Sequence, residues 1–340
     1  MCASRSARAR SLTAAILVAI AAIAAGCSRL HAGTRTVAAS PAPVEQLCGT
    51  RTERPPTVEH VIWIWFENRS FGNIVGRPGS AAYANSPYLN SKLVRGCGVA
   101  TNYHVISHPS LPNYIAATAG TTGGLTRDCD PVSCAQRRPS LFSQLAGHGM
   151  TWRSYVESMP ANCDRVDSDV YGVRHNPAVF YPLIRRRCRR WDVPLGRPQR
   201  GPFVHALRAN RLPSFAFITP NLCHDTHDCP VRVGDRWLAR WIPIIAASAP
   251  YREGNVVLFV TWDEGSDGEQ GTICALDLGD PSCHVPLLVV SPYTPRATRS
   301  PELFNHYSLL KTTEALLGLK RYLGAAASSR THSFRSAFHL

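Results

Sequence analysis

The stretch His60-Val-Ile-Trp-Ile-Trp-Phe66 is apolar at nearly every position, has the length of a β-strand, and ends in Glu67-Asn68. A second apolar run, Asn255-Val-Val-Leu-Phe-Val-Thr-Trp262, ends in Asp263-Glu264-Gly265. Runs that stay apolar instead of alternating predict strands buried on both faces, as in a parallel sheet. The two stretches therefore indicate a sheet whose strand ends carry hard oxygen donors.

Further strands and helices alternate along the chain. Apolar runs at Ser214–Thr219 and Val285–Ser291 predict two more strands. Helical patterns cover Asn113–Ala119, Ser140–Ala146, Arg236–Ala247 and Ser308–Leu317. Gly318 is the expected C-cap of the last one. The alternation predicts an α/β fold, a three-layer α/β/α sandwich with a mostly parallel central sheet. Ligands bind such sheets beyond the carboxyl ends of the strands, where long loops are expected near 76–90, 121–138, 158–178 and 263–283.

Composition indicates one large domain with anionic partners. The 340 residues are 44% hydrophobic and 18% charged, which excludes a disordered chain and suffices for a single α/β core. The net charge of +14 suits phosphate esters or an anionic membrane surface. Nucleic acid is not expected as a partner, because the chain has neither an aromatic RNA-binding signature nor zinc-finger spacing. The arginine runs Arg185–Arg187 and Arg189-Arg190 are interpreted first as a solvated surface.

The N-terminus has the pattern of an export signal. Basic residues precede the apolar run Leu12–Ala25, which is followed by Gly26-Cys27. Small residues before a cysteine resemble a bacterial lipobox, although Ala24 stands where leucine is expected; an ordinary cleaved signal peptide is the alternative. We expect a signal peptide at 1–27, a linker at 28–55 and a catalytic domain at 56–340. The protein would be secreted, or be a cell-surface lipoprotein, and is expected to be a monomer.

The cysteine count is consistent with export. Ten of the 12 cysteines remain when Cys2 and Cys27 are assigned to the targeting segment. An oxidising compartment would pair them, and three pairs lie close in sequence: Cys129–Cys134, Cys223–Cys229 and Cys274–Cys283. We add Cys48–Cys97 and Cys163–Cys188 as a guess, since sequence alone does not determine connectivity. Zinc binding is the less favoured alternative, because no CxxC motif repeats.

The strand-end residues are candidates for a metal site. Glu67 and Asn68 offer a carboxylate and an amide oxygen, which are hard ligands for a divalent cation. Asp263 and Glu264 are adjacent carboxylates, and a cation would allow both to stay ionised at a strand end. Loop capping and a solvated acidic turn are the structural alternatives. Taken together, the two strand ends favour the metal.

Ser110 is the candidate nucleophile. It precedes Pro112, a residue suited to the first turn of a helix, so helix N–H groups and the positive end of the helix dipole would lie close to its hydroxyl. Such a hydroxyl, next to a metal, can attack phosphorus. A plain N-cap serine is the alternative, and for Ser110 taken alone it is the better one. His108 and Asn113 flank this serine and are candidates for contact with substrate.

The loop Asn221–Cys229 concentrates polar residues after a predicted strand. His227 is the leading candidate for protonating a leaving group, and His224 and Asp228 are candidates for substrate binding. The structural alternative is that these polar side chains only hold the loop together by hydrogen bonds. His284, at the start of a strand, is a further substrate-binding candidate that could equally be structural. The loop Arg174-His175-Asn176-Pro177 could also reach substrate.

These residues resemble the bacterial phosphoesterase family of acid phosphatases and phospholipases C, within the alkaline phosphatase superfamily. The resemblance runs from about residue 58 to 320, and its motifs are Glu67–Phe71, His108–Tyr114, Tyr155–Pro160, His175–Pro177, Thr219–Cys223 with His227-Asp228, Thr261–Gly265 and His306–Leu310. The segment around Ser110 is also similar to the nucleophile motif of nucleotide pyrophosphatases. In overall look the chain is most similar to secreted phosphatases of phosphatidylinositol 3-phosphate and other monoesters.

The resemblance implies specific roles. Glu67, Asn68, Ser110, Asp263 and Glu264 would bind metal, Ser110 would be the nucleophile, and His227 would be an acid–base or substrate-binding residue. Two-metal members of the superfamily have histidine where Glu264 follows Asp263, so one divalent cation is expected, with Ca, Mg, Mn and Zn all open. A phosphomonoester hydrolase is the expected function. The alternatives are a phospholipase C and a non-catalytic lipoprotein that binds anionic lipids.

Overall fold

The computed structural model describes residues 46–340. The predicted signal peptide, Cys2, Cys27 and most of the predicted linker lie outside the described residues. The strands are β1 His60–Phe66, β2 Gly98–Ala100, β3 Tyr103–His104, β4 Trp152–Val156, β5 Asp192–Pro194, β6 Phe215–Thr219, β7 Val256–Trp262, β8 Leu287–Val290, β9 Arg299–Ser300 and β10 Phe304–Asn305. The α-helices are α1 Phe71–Ile74, α2 Ala81–Asn85, α3 Ser110–Ala119, α4 Leu141–Gly147, α5 Arg185–Trp191, α6 Pro202–Arg208, α7 Val231–Ala246, α8 Ala249–Arg252, α9 His306–Leu316 and α10 Phe334–Ala337.

The shorter helical segments are one π-helical stretch, Leu89–Val94, and 3₁₀ turns at Val173–His175, Pro177–Phe180, Pro182–Ile184, Cys274–Leu276, Pro281–Cys283 and Gly324–Ala327. Among residues 46–340, every helix is too short or too polar to span a bilayer.

Eight strands form one sheet in the order β5-β4-β6-β1-β7-β8-β2-β9, and β3 pairs with β10 in a small second sheet. Strands β5, β4, β6, β1 and β7 are all parallel. Strand β8 is antiparallel to both of its neighbours, β7 and β2. The predicted α/β class with a mostly parallel central sheet is confirmed.

The strands β1 and β7 explain why the sheet lies in the middle of the molecule. They pair in register from His60–Val256 to Phe66–Trp262, and the side chains of β7 are buried at every position. Trp65 of β1 packs on Tyr114 of α3, whereas Phe66 packs on Trp237 of α7. Because successive strand residues point to opposite faces, helices cover both sides of the sheet, giving three layers.

The register of β1 and β7 also positions the strand ends. Phe66 lies opposite Trp262, so Glu67 and Asp263 follow their strands side by side at one edge of the sheet. The carboxyl ends of β4 and β6 lie at the same edge, because both run parallel to β1. This is the edge at which open α/β sheets bind ligands.

Helix boundaries differ from the sequence-based ones. Helix α3 begins at Ser110, three residues before the predicted Asn113. Pro112 is compatible with this start because N–H groups in the first turn have no acceptor within the helix, so the missing N–H of proline costs no hydrogen bond. Helix α7 begins at Val231, before the predicted Arg236, and its Pro243 lies inside the helix. Gly318 follows α9 with φ of +74°, as expected for a residue just past a helix end.

Five disulfides connect the described residues, and they join the five expected pairs: Cys48–Cys97, Cys129–Cys134, Cys163–Cys188, Cys223–Cys229 and Cys274–Cys283. Three of them close short loops at the ligand-binding edge or next to it. They restrict long connections that have little regular secondary structure of their own.

Candidate active site

The residues predicted at the two strand ends and at the start of α3 meet at one place. Ser110 Oγ lies 3.3 Å from Glu67 Oε2 and 3.1 Å from Glu264 Oε1. Asn68 Nδ2 lies 3.1 Å from the same Glu264 oxygen. The backbone N–H of Asn68 faces Asp263 Oδ1 at 3.4 Å. The structure thus brings together all five residues predicted to share a cation.

The loops after β1 and β7 are locked to each other. Asn68 has φ of +43°, a left-handed conformation that asparagine adopts more readily than most residues. Its carbonyl accepts a hydrogen bond from Ser266 Oγ at 3.0 Å. Gly265 passes so close to the neighbouring loop that a Cβ there would lie 2.3 Å from the Ser282 carbonyl oxygen and 2.6 Å from Ser70 Oγ. The glycine is required by this close approach.

Ser110 is free to act as more than a helix cap. Pro109 occupies the N-cap position of α3, and the serine, the first residue of the helix, directs its hydroxyl to the carboxylates. Asn113 Oδ1 accepts hydrogen bonds from the N–H groups of Ile106 and Ser107, and its Nδ2 donates to the Ser107 carbonyl at 2.6 Å. Asn113, predicted to touch substrate, instead clamps the segment that leads to Ser110.

Three further residues complete the cluster. His175 Nε2 lies 3.2 Å from Glu67 Oε2, and its Nδ1 lies 3.5 Å from Asp225 Oδ2. One ligand atom from each of Glu67, His175 and Asp225 lies within 4.8 Å of the other two, an arrangement able to hold a metal ion. Tyr114, one helical turn after Ser110, donates its hydroxyl hydrogen bond to Glu67 Oε1. His175 belongs to a loop that the sequence predicted to reach substrate, whereas Asp225 was placed only in a polar loop and Tyr114 was assigned no role.

The cluster concentrates carboxyl groups away from water. Burial, followed by the neighbouring carboxylates Asp263 and Asp225, raises the pKa of Glu67 well above its usual value. Burial also raises the pKa of Asp263, with Glu264 as the next cause, and the pKa of Asp225. The pKa of His175 is lowered well below its usual value by burial, followed by the charge of Arg174. A neutral imidazole beside crowded carboxylates is suited to metal binding.

Buried polar atoms without hydrogen-bond partners test whether a cation fits. Asn68 Oδ1, Asp263 Oδ2 and Asp225 Oδ2 have no partner, and neither does His175 Nε2, which approaches Glu67 without hydrogen-bonding geometry. Such atoms are costly to bury unless something satisfies them. Carboxylate and amide oxygens with one imidazole nitrogen form a donor set that fits a divalent cation.

His227 lies beside the cluster. Its backbone N–H donates to Asp225 Oδ1 at 2.8 Å, and its Nδ1 lies 2.6 Å from Asp228 Oδ1. Arg174 Nη2 donates to His227 Nε2 at 3.1 Å, and the Arg174 Nε lies 3.5 Å from Asp128 Oδ2. The predicted Asp228 therefore orients His227. Arg174, from the loop predicted to reach substrate, adds a half-buried positive charge.

His224, predicted to bind substrate, is engaged elsewhere. Its Nδ1 lies 2.9 Å from Glu157 Oε2, an oxygen that also accepts from Trp237 Nε1 at 3.1 Å. The same oxygen accepts from the backbone N–H of Asn221 at 3.1 Å. His224 is therefore part of a hydrogen-bond network that connects this loop to the carboxyl end of strand β4 and to helix α7. It makes no contact with the carboxylate cluster.

The remaining histidines support the site or lie away from it. His108 is buried, with Nδ1 2.7 Å from Glu264 Oε2 and Nε2 3.1 Å from Ser282 Oγ, so it orients Glu264. His306 Nε2 donates to the Asp263 carbonyl at 2.7 Å. His284 stacks on Phe71 with ring centroids 4.6 Å apart, and its Nε2 bonds the Thr101 carbonyl. His284 thus has a packing role here, and its contact with substrate stays a prediction.

Comparisons with known proteins identify the family of this chain. The profile of the phosphoesterase family matches residues 79–320, a range that includes Ser110, His175, His227 and Asp263-Glu264. A phosphatidylinositol-3-phosphatase of Mycobacterium tuberculosis is 32% identical over 270 residues, which cover 78% of this chain and 79% of that protein. An acid phosphatase of Aspergillus fumigatus is 26% identical; the match covers 75% of this chain and 54% of the longer fungal protein.

Solved structures share the fold at low sequence identity. The lipoteichoic acid synthase LtaP of Listeria monocytogenes superposes with a TM-score of 0.56 and 11% identity, over 80% of this chain and 75% of that one. At this identity the similarity concerns the arrangement of helices and strands alone. It agrees with the three-layer architecture built around the parallel strands.

Proposed function

The chain belongs to the phosphoesterase family, and from that premise we propose that it is a metal-dependent phosphomonoester hydrolase with Ser110 as its nucleophile. Phosphatidylinositol 3-phosphate and other phosphomonoesters are the proposed substrates. The names of the mycobacterial and fungal relatives support a phosphatase. The serine nucleophile and the metal rest on the geometry of this site.

One observation carries the proposal. The hydroxyl of Ser110 lies within 3.3 Å of two carboxylates that end neighbouring strands, in a cluster whose remaining oxygens lack partners. A serine that only capped its helix would direct its oxygen to the N–H groups of the first turn, and Ser110 does not.

Glu67, Asn68, Ser110, Asp263 and Glu264 would hold the cation, with His175 and Asp225 beside Glu67 as further donors. When bound, a divalent cation supplies charge neutralisation and lowers the pKa of a coordinated hydroxyl. His175 approaches Glu67 Oε2 and Tyr114 donates to Glu67 Oε1, and the rings of these two residues stack with centroids 5.6 Å apart. The residues present thus suit one cation, and His175 and Asp225 provide further donor atoms beside it.

The chain's own residues would carry out the transfer. Ser110 Oγ attacks phosphorus in line and gives its proton to one of the carboxylate oxygens that it already contacts, Glu67 or Glu264. The alkoxide of the leaving group departs and takes a proton from His227. A phosphoserine remains. Water then attacks the phosphoserine and gives one proton to His227, which is now neutral. The departing Ser110 oxygen takes its proton back from the carboxylate that accepted it, which restores the enzyme.

Arg174 fits this sequence of steps. Without substrate its guanidinium donates to His227 Nε2, the atom that must carry the proton for the leaving group. A phosphoryl dianion is a better acceptor for a guanidinium than imidazole is. Substrate would therefore draw Arg174 away from His227 and leave Nε2 able to hold a proton.

Release of phosphate from p-nitrophenyl phosphate and from phosphatidylinositol 3-phosphate tests the proposal. We expect chelation to abolish release and divalent metal to restore it. We expect Ser110→Ala to lose activity while keeping the thermal unfolding midpoint of the wild type within a few degrees. Ser107→Ala is the matched control, because Ser107 Oγ is buried nearby without a hydrogen-bond partner and the substitution should leave turnover unchanged. Turnover by Ser110→Ala would move the nucleophile elsewhere.

A second assay separates monoesters from diesters. Release of phosphocholine from phosphatidylcholine at a rate comparable with that of the monoesters would replace the phosphatase proposal by a phospholipase C. We also propose that the protein is exported, since five disulfides are suited to an oxidising compartment.

A further inference from the structure

Helix α5 presents an exposed face made entirely of arginine. Its sequence is Arg-Arg-Arg-Cys-Arg-Arg-Trp, and all five arginines are exposed, while Cys188 is buried and Trp191 half-buried. Helical spacing places Ile184, Cys188 and Trp191 on the face that packs against the protein, so the charges fill the rest of the circumference. The proposed catalytic steps use none of these arginines.

Two more arginines meet the start of this helix. Arg137, Arg165 and Arg185 line a surface cavity of about 400 Å³, together with Val132 and Pro182. The Cys163–Cys188 disulfide ties the loop that carries Arg165 to α5. Burial, followed by the charge of Arg185, lowers the pKa of Arg165, and the Arg165 Nε has no hydrogen-bond partner. We call the six residues Arg137, Arg165, Arg185, Arg189, Val132 and Leu183 the arginine patch.

Within residues 46–340, no arginine of the arginine patch forms an ion pair. In that part of the chain Arg174–Asp128 is the one ion pair that involves an arginine. Asp130 is the carboxylate that faces Arg165, and its oxygens accept hydrogen bonds from Ser133 and from the Val132 N–H of its own loop. The patch therefore attracts anions from outside the chain.

Exposed aliphatic side chains lie among these arginines. Val132 is 75% exposed and Leu183 is 63% exposed, and Val166, next to Arg165, is 70% exposed. Apolar side chains beside arginines are typical of surfaces that dock on a membrane interface, where anionic headgroups meet the guanidinium groups. Nucleic-acid surfaces add aromatic side chains for base stacking, and no exposed large apolar residue of the described chain is aromatic. The chemistry favours a lipid surface.

The arginine patch lies toward the edge of the sheet that carries the site. Strand β4 is parallel to β6 and hence to β1, so the long connection after Val156 leaves at the same edge as Glu67. That connection carries Arg165, then brings Arg174 and His175 to the cluster, and then enters α5. We propose that the arginine patch docks the protein on an anionic lipid bilayer, with the site facing headgroups. That the headgroups include the substrate rests on the proposed function.

Vesicle sedimentation tests the docking. The full chain is mixed with phosphatidylcholine vesicles, with or without phosphatidylserine, over a range of salt concentrations. We expect binding only with phosphatidylserine, weakening as salt rises. Neutralising two arginines, Arg185→Gln with Arg189→Gln, should weaken binding about 30-fold. The matched control is Arg236→Gln with Arg240→Gln, an exposed pair at the same spacing on α7, which should bind like the wild type.

A second double variant isolates the apolar contribution. Val132→Ser with Leu183→Ser should weaken vesicle binding and leave its salt dependence unchanged, because the charges remain. Equal weakening by the α5 and α7 pairs would overturn the proposal in favour of unspecific attraction by net charge. Binding to dissolved RNA but not to vesicles would overturn it in favour of a nucleic-acid surface.

The outcome is separable from that of the proposed function. The Arg185→Gln, Arg189→Gln variant should hydrolyse soluble p-nitrophenyl phosphate like the wild type, since neither residue contacts the cluster. Wild-type hydrolysis without vesicle binding would refute the docking alone. Vesicle binding by a protein that releases no phosphate from any monoester would refute the hydrolase alone.

Discussion

Replacing Glu67 by glutamine should have opposite effects on the protein with and without metal. Glu67 is fully buried next to Asp263 and Asp225, and burial with these neighbours raises its pKa. Without a cation, an ionised Glu67 opposes folding, and an uncompensated buried charge costs about 1–3 kcal/mol or more. For a chain of this size about 1 kcal/mol corresponds to roughly 2–4 °C in Tm. We therefore expect Glu67→Gln to raise the Tm of the chelated protein by roughly 2–12 °C.

The metal-bound wild type should gain stability that the variant lacks. A ligand present at about 100 times its Kd stabilises a protein by about 2.7 kcal/mol, or roughly 5–11 °C here. Thermal unfolding with chelator and with added Mg²⁺, Ca²⁺, Mn²⁺ or Zn²⁺ measures both effects. We expect the wild type to respond to at least one ion and Glu67→Gln to respond to none.

Glu314→Gln is the matched control for this experiment. Glu314 is also buried, burial raises its pKa to about 8, and it lies in α9, where its Oε1 accepts from the Leu323 N–H. Its neutralisation should raise the Tm with and without metal and preserve the metal-dependent increment. An undiminished metal response in Glu67→Gln, or a chelated variant less stable than the chelated wild type, would refute the reasoning.

Three other perturbations have defined outcomes. Burial raises the folded pKa values of Asp192 and Glu314 to about 8, so their contribution to stability is complete below pH ~4 and is lost as the pH rises to about 8. Urea unfolding in chelator should therefore give a lower free energy of unfolding at pH 8 than at pH 5, and Glu314→Gln should reduce the difference. A free energy of unfolding that rises with pH would contradict this prediction. Asn113→Ala removes four hydrogen bonds that hold the segment before Ser110 and should cost roughly 2–4 kcal/mol in urea unfolding, with a lower kcat. Wild-type stability would exclude this role of Asn113. Gly265→Ala should lower the free energy of unfolding by about 1–3 kcal/mol, because the new Cβ would collide with Ser282 and Ser70. Gly72→Ala, with open space around its Cβ, should leave the free energy of unfolding unchanged. Equal effects of the two variants would argue against the close approach at Gly265.

The central strands and the strand-end donors could be predicted because their signals are local. An uninterrupted apolar run specifies a strand buried on both faces, and β1 spans the predicted residues. In a parallel pair, residues that follow the two strands must lie at one edge, so Glu67-Asn68 and Asp263-Glu264 meet once β1 and β7 pair in register. The order of the strands is not local information, and the run of residues gives no sign that β8 is antiparallel.

The loop residues were less predictable because their roles depend on partners far away in sequence. His175 and His224 both lie in polar loops, yet His175 meets Glu67, 108 residues earlier, while His224 meets Glu157. Asn113 has the residue type of a substrate ligand, but its amide satisfies backbone groups that a tight connection leaves unpaired. The i, i+4 spacing of Ser110 and Tyr114 was the one available signal that a tyrosine shares the face of the nucleophile.

The most direct measurement is the identification of a covalent intermediate. The wild-type enzyme is mixed with a phosphomonoester, quenched in acid during turnover, digested and analysed by mass spectrometry for phosphorylated peptides. Our account predicts one phosphoryl group on the hydroxyl of Ser110, absent from the quenched Ser110→Ala protein. Rapid turnover with that serine always unmodified, or with the phosphoryl group on a different side chain, would contradict it.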